Sequence, residues 1–420
     1  MTNTKQIKNP REAAYYAVLS FLREESFAGE WLNQWKETQL PTQIDYHLAR
    51  EIAFGVIRRK LTLDYLAKEL TPKKRLDLKT REKVVLRIAI YQKLFMSRIP
   101  DHAIVHESVE LAKKHCHPSF VSFLNAILRK LIKTSPLLPQ GVTVPELSIR
   151  FSYPEYYVNL LIQTLGLEKT KAILQAENTP PKTMFRLLPN NEIVEQKEGS
   201  PLIAGTLTPV AVLEDPSLLK EIASSSKYYI QNITQVTLMD KLIERAKTFD
   251  HILDLCAAPG GKLISLHLAF PQASLHANDI SIEKLKKLEE NKQKYDIPVK
   301  LHSTPGEKFS SAAPFDLIVI DAPCSNTGVL AKRPEARWRL TPKHLEQLTT
   351  LQKQLLTNAL TLLKEDGEIW YLTCSILKME NNALVEEFAQ ENDLEIRQAE
   401  TIYPNENGWE GGFAAALRRK

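Results

Sequence analysis

The chain has 420 residues, 43% hydrophobic and 25% charged, with 55 Lys and Arg against 50 Asp and Glu for a formal net charge of +5. That length allows two or three cores, but no apolar run reaches membrane-spanning length, and Met1 to Pro10 lacks the apolar core of a signal peptide. Four scattered cysteines are too few for a disulfide framework and fit a reducing cytosol, while the mild positive balance permits nucleic-acid binding without arguing for it.

From Pro10 to about residue 135 the pattern predicts helices. Pro10 opens the first, with Ala13, Ala14, Val18, Leu19 and Leu22 on one side. Ile44 to Leu70 continues the helical period and carries Leu48, Ile52 and Val56 ahead of Arg58, Arg59 and Lys60. Val84 to Phe95, Ala103 to Lys114 and Val121 to Ile132 follow, with Lys73-Lys74-Arg75 between. These cations either track RNA phosphates, with salt-dependent and sequence-blind affinity, or form a solvated face; charge alone leaves the two readings even. His102, His106 and His115-Cys116-His117 are read as core or surface residues, because no second ligand pair has zinc spacing. Ser135 to Pro145 has linker composition. Beyond it come a helical stretch, Tyr156 to Gln175, and short strands near Thr183 to Leu188, Thr208 to Leu213 and Tyr228 to Ile233, together a small α+β module.

The run Ile252 to Lys262 (Ile-Leu-Asp-Leu-Cys-Ala-Ala-Pro-Gly-Gly-Lys) ends an apolar strand in a glycine turn, and Leu263 to Phe270 continues as a helix. A P-loop is rejected because Cys256 and Leu263 occupy the places of its glycine and its Ser or Thr. The dinucleotide fingerprint is missing too. A mononucleoside ligand without a pyrophosphate remains, and S-adenosylmethionine fits. A second strand, Ala273 to Ala277, ends at Asn278-Asp279, roughly 20 residues past the glycines, where such folds place an acid for ribose hydroxyls; the plainer reading makes Asp279 a cap for a helix over Ser281 to Asn291. Phe315 to Asp321 is a strand followed at once by Ala322-Pro323-Cys324-Ser325. A long helix, Pro342 to Leu363, precedes the strand Gly367 to Thr373, which leads into Cys374-Ser375. Strands ending at Leu255, Asp321 and Thr373 deliver their termini to one sheet edge, where an open α/β sheet keeps its site. Cys256 is read as a small hydrophobe, Cys324 and Cys374 as reactive thiols. A thiol beside a methyl donor suits cytosine: sulfur adds to carbon 6, the resulting enamine takes a methyl at carbon 5, and loss of the carbon-5 proton expels the thiol. Asp321 is placed to assist at the ring nitrogen.

These residues resemble the bacterial ribosomal RNA cytosine-5 methyltransferases of the Sun/RsmB type, over nearly the whole chain. The motifs are Asp254 to Lys262, Asp321 to Ser325 and Thr373-Cys-Ser375. The N-terminal part resembles a NusB-like RNA-binding domain through Gly55 to Arg59, Arg98 to Ala103 and Asn125 to Arg129. Arg150 to Pro154 and Asn178 to Pro181 resemble the family's small middle domain. The resemblance implies a multidomain chain: an all-α NusB-like domain over 1–140, a small α+β domain over 141–235, and an α/β Rossmann-like class I methyltransferase domain over 236–420. It implies Cys374 as nucleophile, Cys324 in product release, and a donor and base pocket lined by Cys256, Ala257, Ala258, Pro259, Gly260, Gly261, Lys262, Asp279, Ser303 and Asp321. The implied cofactor is S-adenosylmethionine. The implied substrate is a cytidine of 16S ribosomal RNA before subunit assembly is complete, methylated in the cytoplasm by a monomer with neither metal nor membrane. Arg333-Pro334 and Trp338 also match, on the RNA side.

Four positions depart from the family pattern. Leu263 replaces a Thr, Ser303 an Asp near the adenine, Asn232 the Asp of a Gln-Asp pair, and Glu410 to Phe413 a Gly-Asp-Gly-Phe segment. Loss of the carboxylate at 303 removes an acceptor for the adenine amine, on the order of 1 kcal/mol. Transfer RNA is the alternative substrate, and a non-catalytic RNA-binding assembly factor the alternative class.

Overall fold

The computed structural model describes residues 6–72, 74–134, 136–188, 202–203 and 207–420. Met1 to Lys5, Lys73, Ser135 and residues 189–201 and 204–206 lie outside that set. The chain divides into two compact units, Met1–Gln163 and Thr164–Lys420.

The first unit is helical: α1 Pro10–Leu22, α2 Ala28–Gln39, α3 Gln43–Arg58, α4 Lys60–Leu70, α5 Thr80–Phe95, α6 Asp101–His115, α7 Pro118–Lys133 and α8 Val144–Phe151, with α9 Glu155–Leu165 crossing the division. Asn9 caps α1, its side chain accepting from the amides of Arg11 and Glu12, and Pro10 takes the first helical position, where no donor is lost. α5 is buried continuously from Val84 to Gln92, so it is the core helix against which α1, α3, α4, α6 and α7 pack. The single helical run expected over Ile44 to Leu70 is two helices, parted at Arg59. α2 has no counterpart among the predicted elements, because its mostly polar sequence buries only Ala28, Leu32 and Trp35. Arg58, Arg59 and Lys60 are half-buried rather than a solvated face, and burial beside Arg87 pushes the Lys60 amine down to about 8. α8 and most of α9 group with this unit, whereas the sequence places them in the middle module.

The second unit opens with α10 Leu167–Ala176, separated from α9 by Gly166 at φ +78°. A small antiparallel sheet follows, β1 Met184–Leu187, β2 Leu202–Ile203, β3 Val210–Val212 and β4 Tyr228–Ile230, in the order β2-β3-β1-β4, with α11 Leu219–Ser224 before β4. After α12 Ile233–Ile243 comes the large sheet: β5 His251–Asp254, β6 Ser274–Asn278, β7 Val299–His302, β8 Phe315–Asp321, β9 Leu363–Thr373, β10 Leu394–Ile402 and β11 Gly412–Arg419. Its helices are α13 Gly261–Ala269, α14 Ile282–Lys294, α15 Pro342–Leu362 and α16 Asn382–Glu391. The strand order is β10-β11-β9-β8-β5-β6-β7; β7, β6, β5, β8 and β9 run parallel, and β11 enters antiparallel between β9 and β10.

Alternation along β8 divides the core. Ile318 and Ile320 join the cluster under α15 and α16, while Leu317 and Val319 join the opposite cluster with residues of α12 and α13. Both faces are covered, which is why β8 reads as an unbroken apolar run. The order reverses between β5 and β8, and at such a switch point a crevice opens at the carboxyl ends of the strands.

Candidate active site

The floor of this crevice is set by hydrogen bonds that the turn after β5 cannot make alone. The Leu255 amide donates to Val319 O (2.8 Å) and the Ala257 amide to Asn278 O (2.8 Å). The fully buried Asn278 side chain donates to Leu255 O (3.0 Å) and Thr304 O (2.9 Å), tying three strand ends together. The turn contains a cis Ala258–Pro259 bond, and Gly260 has φ +106°, a value that residues with a Cβ rarely adopt. A Cβ there would also lie 2.7 Å from Leu288 Cδ1. Gly261 then begins α13.

Asp279 follows β6 and is buried. Its carboxylate accepts from the Ala258 amide (3.3 Å) and the Ser281 amide (2.9 Å), while the cap of α14 is Ser281. Asp279 is therefore held against the glycine turn rather than serving as the helix cap.

At the other side of the crevice, Asp321 ends β8, and Cys374 follows the end of β9. Lys262, on the first turn of α13, is buried, with Nζ 2.5 Å from Asp321 Oδ2 and 3.3 Å from Gln235 Oε1. Burial alone would lower the Lys262 amine, but Asp321, followed by Cys374, outweighs it and the net shift is upward. Because Nζ only donates, it takes the amide oxygen of Gln235 and leaves Nε2 to face Cys374 Sγ, 3.5 Å away. Burial, then Asp321, raises the Cys374 thiol to about 12, with Lys262 opposing. Burial, then Cys374, raises Cys324 well above the usual thiol range. Both shifts favour the protonated thiol, so neither sulfur is activated by a lowered pKa in the protein alone. Asp254, at the end of β5, is fully buried, and burial followed by Asp321 raises it to about 7, with Lys262 and the Cys256 amide opposing.

The pocket measures about 590 Å³, within the range of small-molecule sites. Its lining brings together Cys256, Ala257, Ala258, Pro259, Gly261, Lys262, Asp279, Asp321, Cys324 and Cys374. Gly260 is buried behind the turn. Ser303, exposed after β7, lies outside the lining. Sequence reasoning passed over Tyr229, Gln235, Lys284 and Glu307, which also line it; nothing in their local pattern signals a site, because β4, α12 and α14 reach the pocket only through the fold. Arg333 lines it as well, donating to Asn326 (3.2 Å), whereas Trp338 is half-buried outside it.

Two departures from the family pattern have local explanations. Leu263 is buried in the core under α13 rather than facing the pocket. Asn232 caps α12, donates to Gly408 O (3.0 Å) and accepts from the Glu410 amide (3.1 Å); an Asp could not make the donation. Thr234 donates to Glu410 O (2.7 Å), and the Gly411 amide to Gly328 O (2.7 Å), so the segment 408–411 closes the rim beside Cys374. No described helix is long and apolar enough to cross a membrane.

The residues suit S-adenosylmethionine: a buried carboxylate at Asp279 for ribose hydroxyls, apolar Pro323, Leu351 and Leu355 for a flat base, and a turn open to close approach. Two family models match the chain, 16S rRNA methyltransferase RsmB/F over residues 242–418 and the NusB family over 8–133. The ribosomal RNA small subunit methyltransferase B of Pasteurella multocida is 30% identical over 416 residues, covering 91% of this chain and 90% of that protein. The probable ribosomal RNA small subunit methyltransferase B of Bacillus subtilis is 28% identical, covering 98% of each. A crystal structure of PH0851 shares the fold with a TM-score of 0.75 at 20% identity, covering 99% of this chain and 100% of that one.

Proposed function

Since the chain belongs to the 16S rRNA methyltransferase RsmB/F family, whose members are S-adenosylmethionine-dependent enzymes, we propose that it methylates carbon 5 of a cytidine in 16S ribosomal RNA through a covalent Cys374 adduct. The observation that carries this reading is the meeting of Cys324, Cys374 and Asp321 in the same pocket as the glycine turn. Bound S-adenosylmethionine supplies an electrophilic methyl group and a positive charge that favours thiolate beside it.

The chain's own residues account for the rest. The Cys374 proton moves to the Asp321 carboxylate, which passes it to the ring nitrogen as sulfur bonds to carbon 6. The Gln235 amide, oriented by Lys262, donates to the sulfur and favours its ionised form; Lys262 also steadies the Asp321 carboxylate. Carbon 5, now nucleophilic, takes the methyl. Its remaining proton passes to the Cys324 sulfur, which has first released its own proton to the solvent that reaches the pocket. The carbon 6–sulfur bond then breaks, restoring the ring double bond, and the proton on the ring nitrogen returns through Asp321 to the Cys374 sulfur. Asp279, with residues 256–262, holds the donor; Ser303 is proposed only at the outer edge of the adenine side. The target base must leave any stack to enter a pocket of this depth.

We further propose a division of labour over the three segments read from sequence: 1–140 binds RNA, supported by the NusB match, 141–235 adjoins the site through its small sheet, and 236–420 performs the transfer. The enzyme is read as a cytoplasmic monomer without a metal, acting before the small subunit is complete. Bisulfite sequencing of 16S ribosomal RNA from cells with and without the gene tests the position of the mark. Cys374→Ala should abolish turnover while sparing RNA affinity, and Cys324→Ala should accumulate a denaturant-resistant protein–RNA adduct. Normal turnover in Cys324→Ala, or an adduct in Cys374→Ala, would overturn these roles.

A further inference from the structure

Glu380 ends the short 3-10 turn Lys378–Glu380 that follows the Thr-Cys-Ser loop, and it is fully buried. A carboxylate removed from water is tolerated only among donors. Four reach it. The Ser325 amide (2.8 Å) and Gln352 Nε2 (3.2 Å) bind Oε1, and the hydroxyls of Ser325 and Ser375, each at 2.5 Å, bind Oε2. Ser325 and Ser375 are the residues immediately after Cys324 and Cys374. One carboxylate thus fastens both thiol-bearing loops to each other.

The two loops depend on it unequally. The Cys374 loop has anchors of its own: Thr373 Oγ1 donates to Asn381 (2.7 Å), Asn381 Nδ2 donates to Ser375 O (2.9 Å), and the Gly328 amide donates to Cys374 O (2.8 Å). The Cys324 loop has the Asn326 side chain on Cys324 O (2.9 Å) and the Ala322 amide on Leu372 O (2.9 Å), but its ties on either side of Cys324, at Ser325 and at Pro323 O through Gln352 (2.9 Å), both run through partners of Glu380. Glu380 lies outside the pocket lining, so it touches neither base nor donor.

We propose that Glu380 is a positioning residue that sets Cys324 against Cys374, and that it governs release of the methylated base more than its capture. This rests on the covalent reading above: of the two sulfurs, capture needs only that of Cys374, whereas release needs both in register.

The test is Glu380→Gln in the full-length enzyme, which keeps the shape but turns an N–H pair toward groups that are already donors. With RNA and S-adenosylmethionine present, the expected result is a denaturant-resistant RNA adduct and turnover reduced about tenfold or more, with KM for both substrates within about twofold of wild type. Cys324→Ala runs beside it. If Cys324→Ala traps the adduct while Glu380→Gln turns over normally, or slows without an adduct, the positioning role is wrong. If Cys324→Ala itself traps nothing, the covalent-release reading fails and takes this inference with it. Should Glu380→Gln not fold, Ser325→Ala, which removes one donor and leaves the carboxylate in place, carries the test. It too should accumulate adduct, and wild-type turnover without adduct would refute the proposal.

Discussion

Gly328→Ala should damage the enzyme far beyond the size of a methyl group. Gly328 lies seven residues past Asp321, where its amide donates to Cys374 O (2.8 Å) and its carbonyl accepts from the Gly411 amide (2.7 Å). A Cβ at 328 would stand 2.4 Å from Gly411 O, 2.5 Å from Gly411 C and 2.7 Å from Gly411 Cα. All three are backbone atoms, so no side chain can rotate aside. Reaching ordinary contact requires a displacement of about 1 Å, which takes both hydrogen bonds beyond their working distance. Overpacking costs about 1–3 kcal/mol and each lost hydrogen bond about 0.5–1.5 kcal/mol, so a loss of about 3 kcal/mol is expected. In a unit of this size that is a fall of roughly 6–12 °C in melting temperature. Calorimetry of both proteins, with turnover measured well below the melts, checks it. Turnover should fall as well, because the displaced carbonyl belongs to Cys374. An alanine variant melting within about 1 °C of wild type with full activity would refute the close approach of these two backbones.

Two further outcomes follow from buried ionisable groups. With Cys374 raised to about 12, its thiolate fraction at pH 8 is about a thousandfold below that of an ordinary thiol, and alkylation in the enzyme alone should climb about tenfold per pH unit beyond pH 9. Peptide mapping after iodoacetamide treatment reads this, and a rate that levels off near pH 9 contradicts it. Asp254, raised from 3.8 to about 7, keeps a proton that the unfolded chain has lost, so stability should decline as pH rises from about 4 to 7, by at most about 4 kcal/mol, and then level off. Asp254→Asn should remove that slope in urea melts at pH 5 and pH 8; an unchanged slope would assign it to other groups.

Much of the catalytic half was legible because its signals are local. Parallel strands buried on both faces read as apolar runs, and β5, β8 and β9 each end in a recognisable polar turn. β8 coincides with its predicted span, and α15 differs by one residue. Other elements carried weaker signals. β11, rich in alanine, looks like neither strand nor helix until it is inserted between β9 and β10. The helical run over 156–175 concealed a break, because a single glycine is compatible with a helix unless its φ is known. At the site, residue types were readable but protonation was not. Position past a strand end suggested reactive thiols without fixing their protonation, and desolvation, a property of the assembled fold, raises both. Gln235 and Glu380 became visible only once distant segments met.

The rim beside Cys374 joins Asn232 and Thr234 to residues 408–410, contacts 176 to 178 positions apart along the chain. Closing so long a loop costs conformational entropy that neighbouring helices and hairpins need not meet, so these contacts are expected to form after them. The order of assembly therefore separates shape from competence: most of the sheet can exist while the chamber for methyl transfer is still open on one side. Without these contacts the wall beside Cys374 is missing although the strands that carry the catalytic residues are in place.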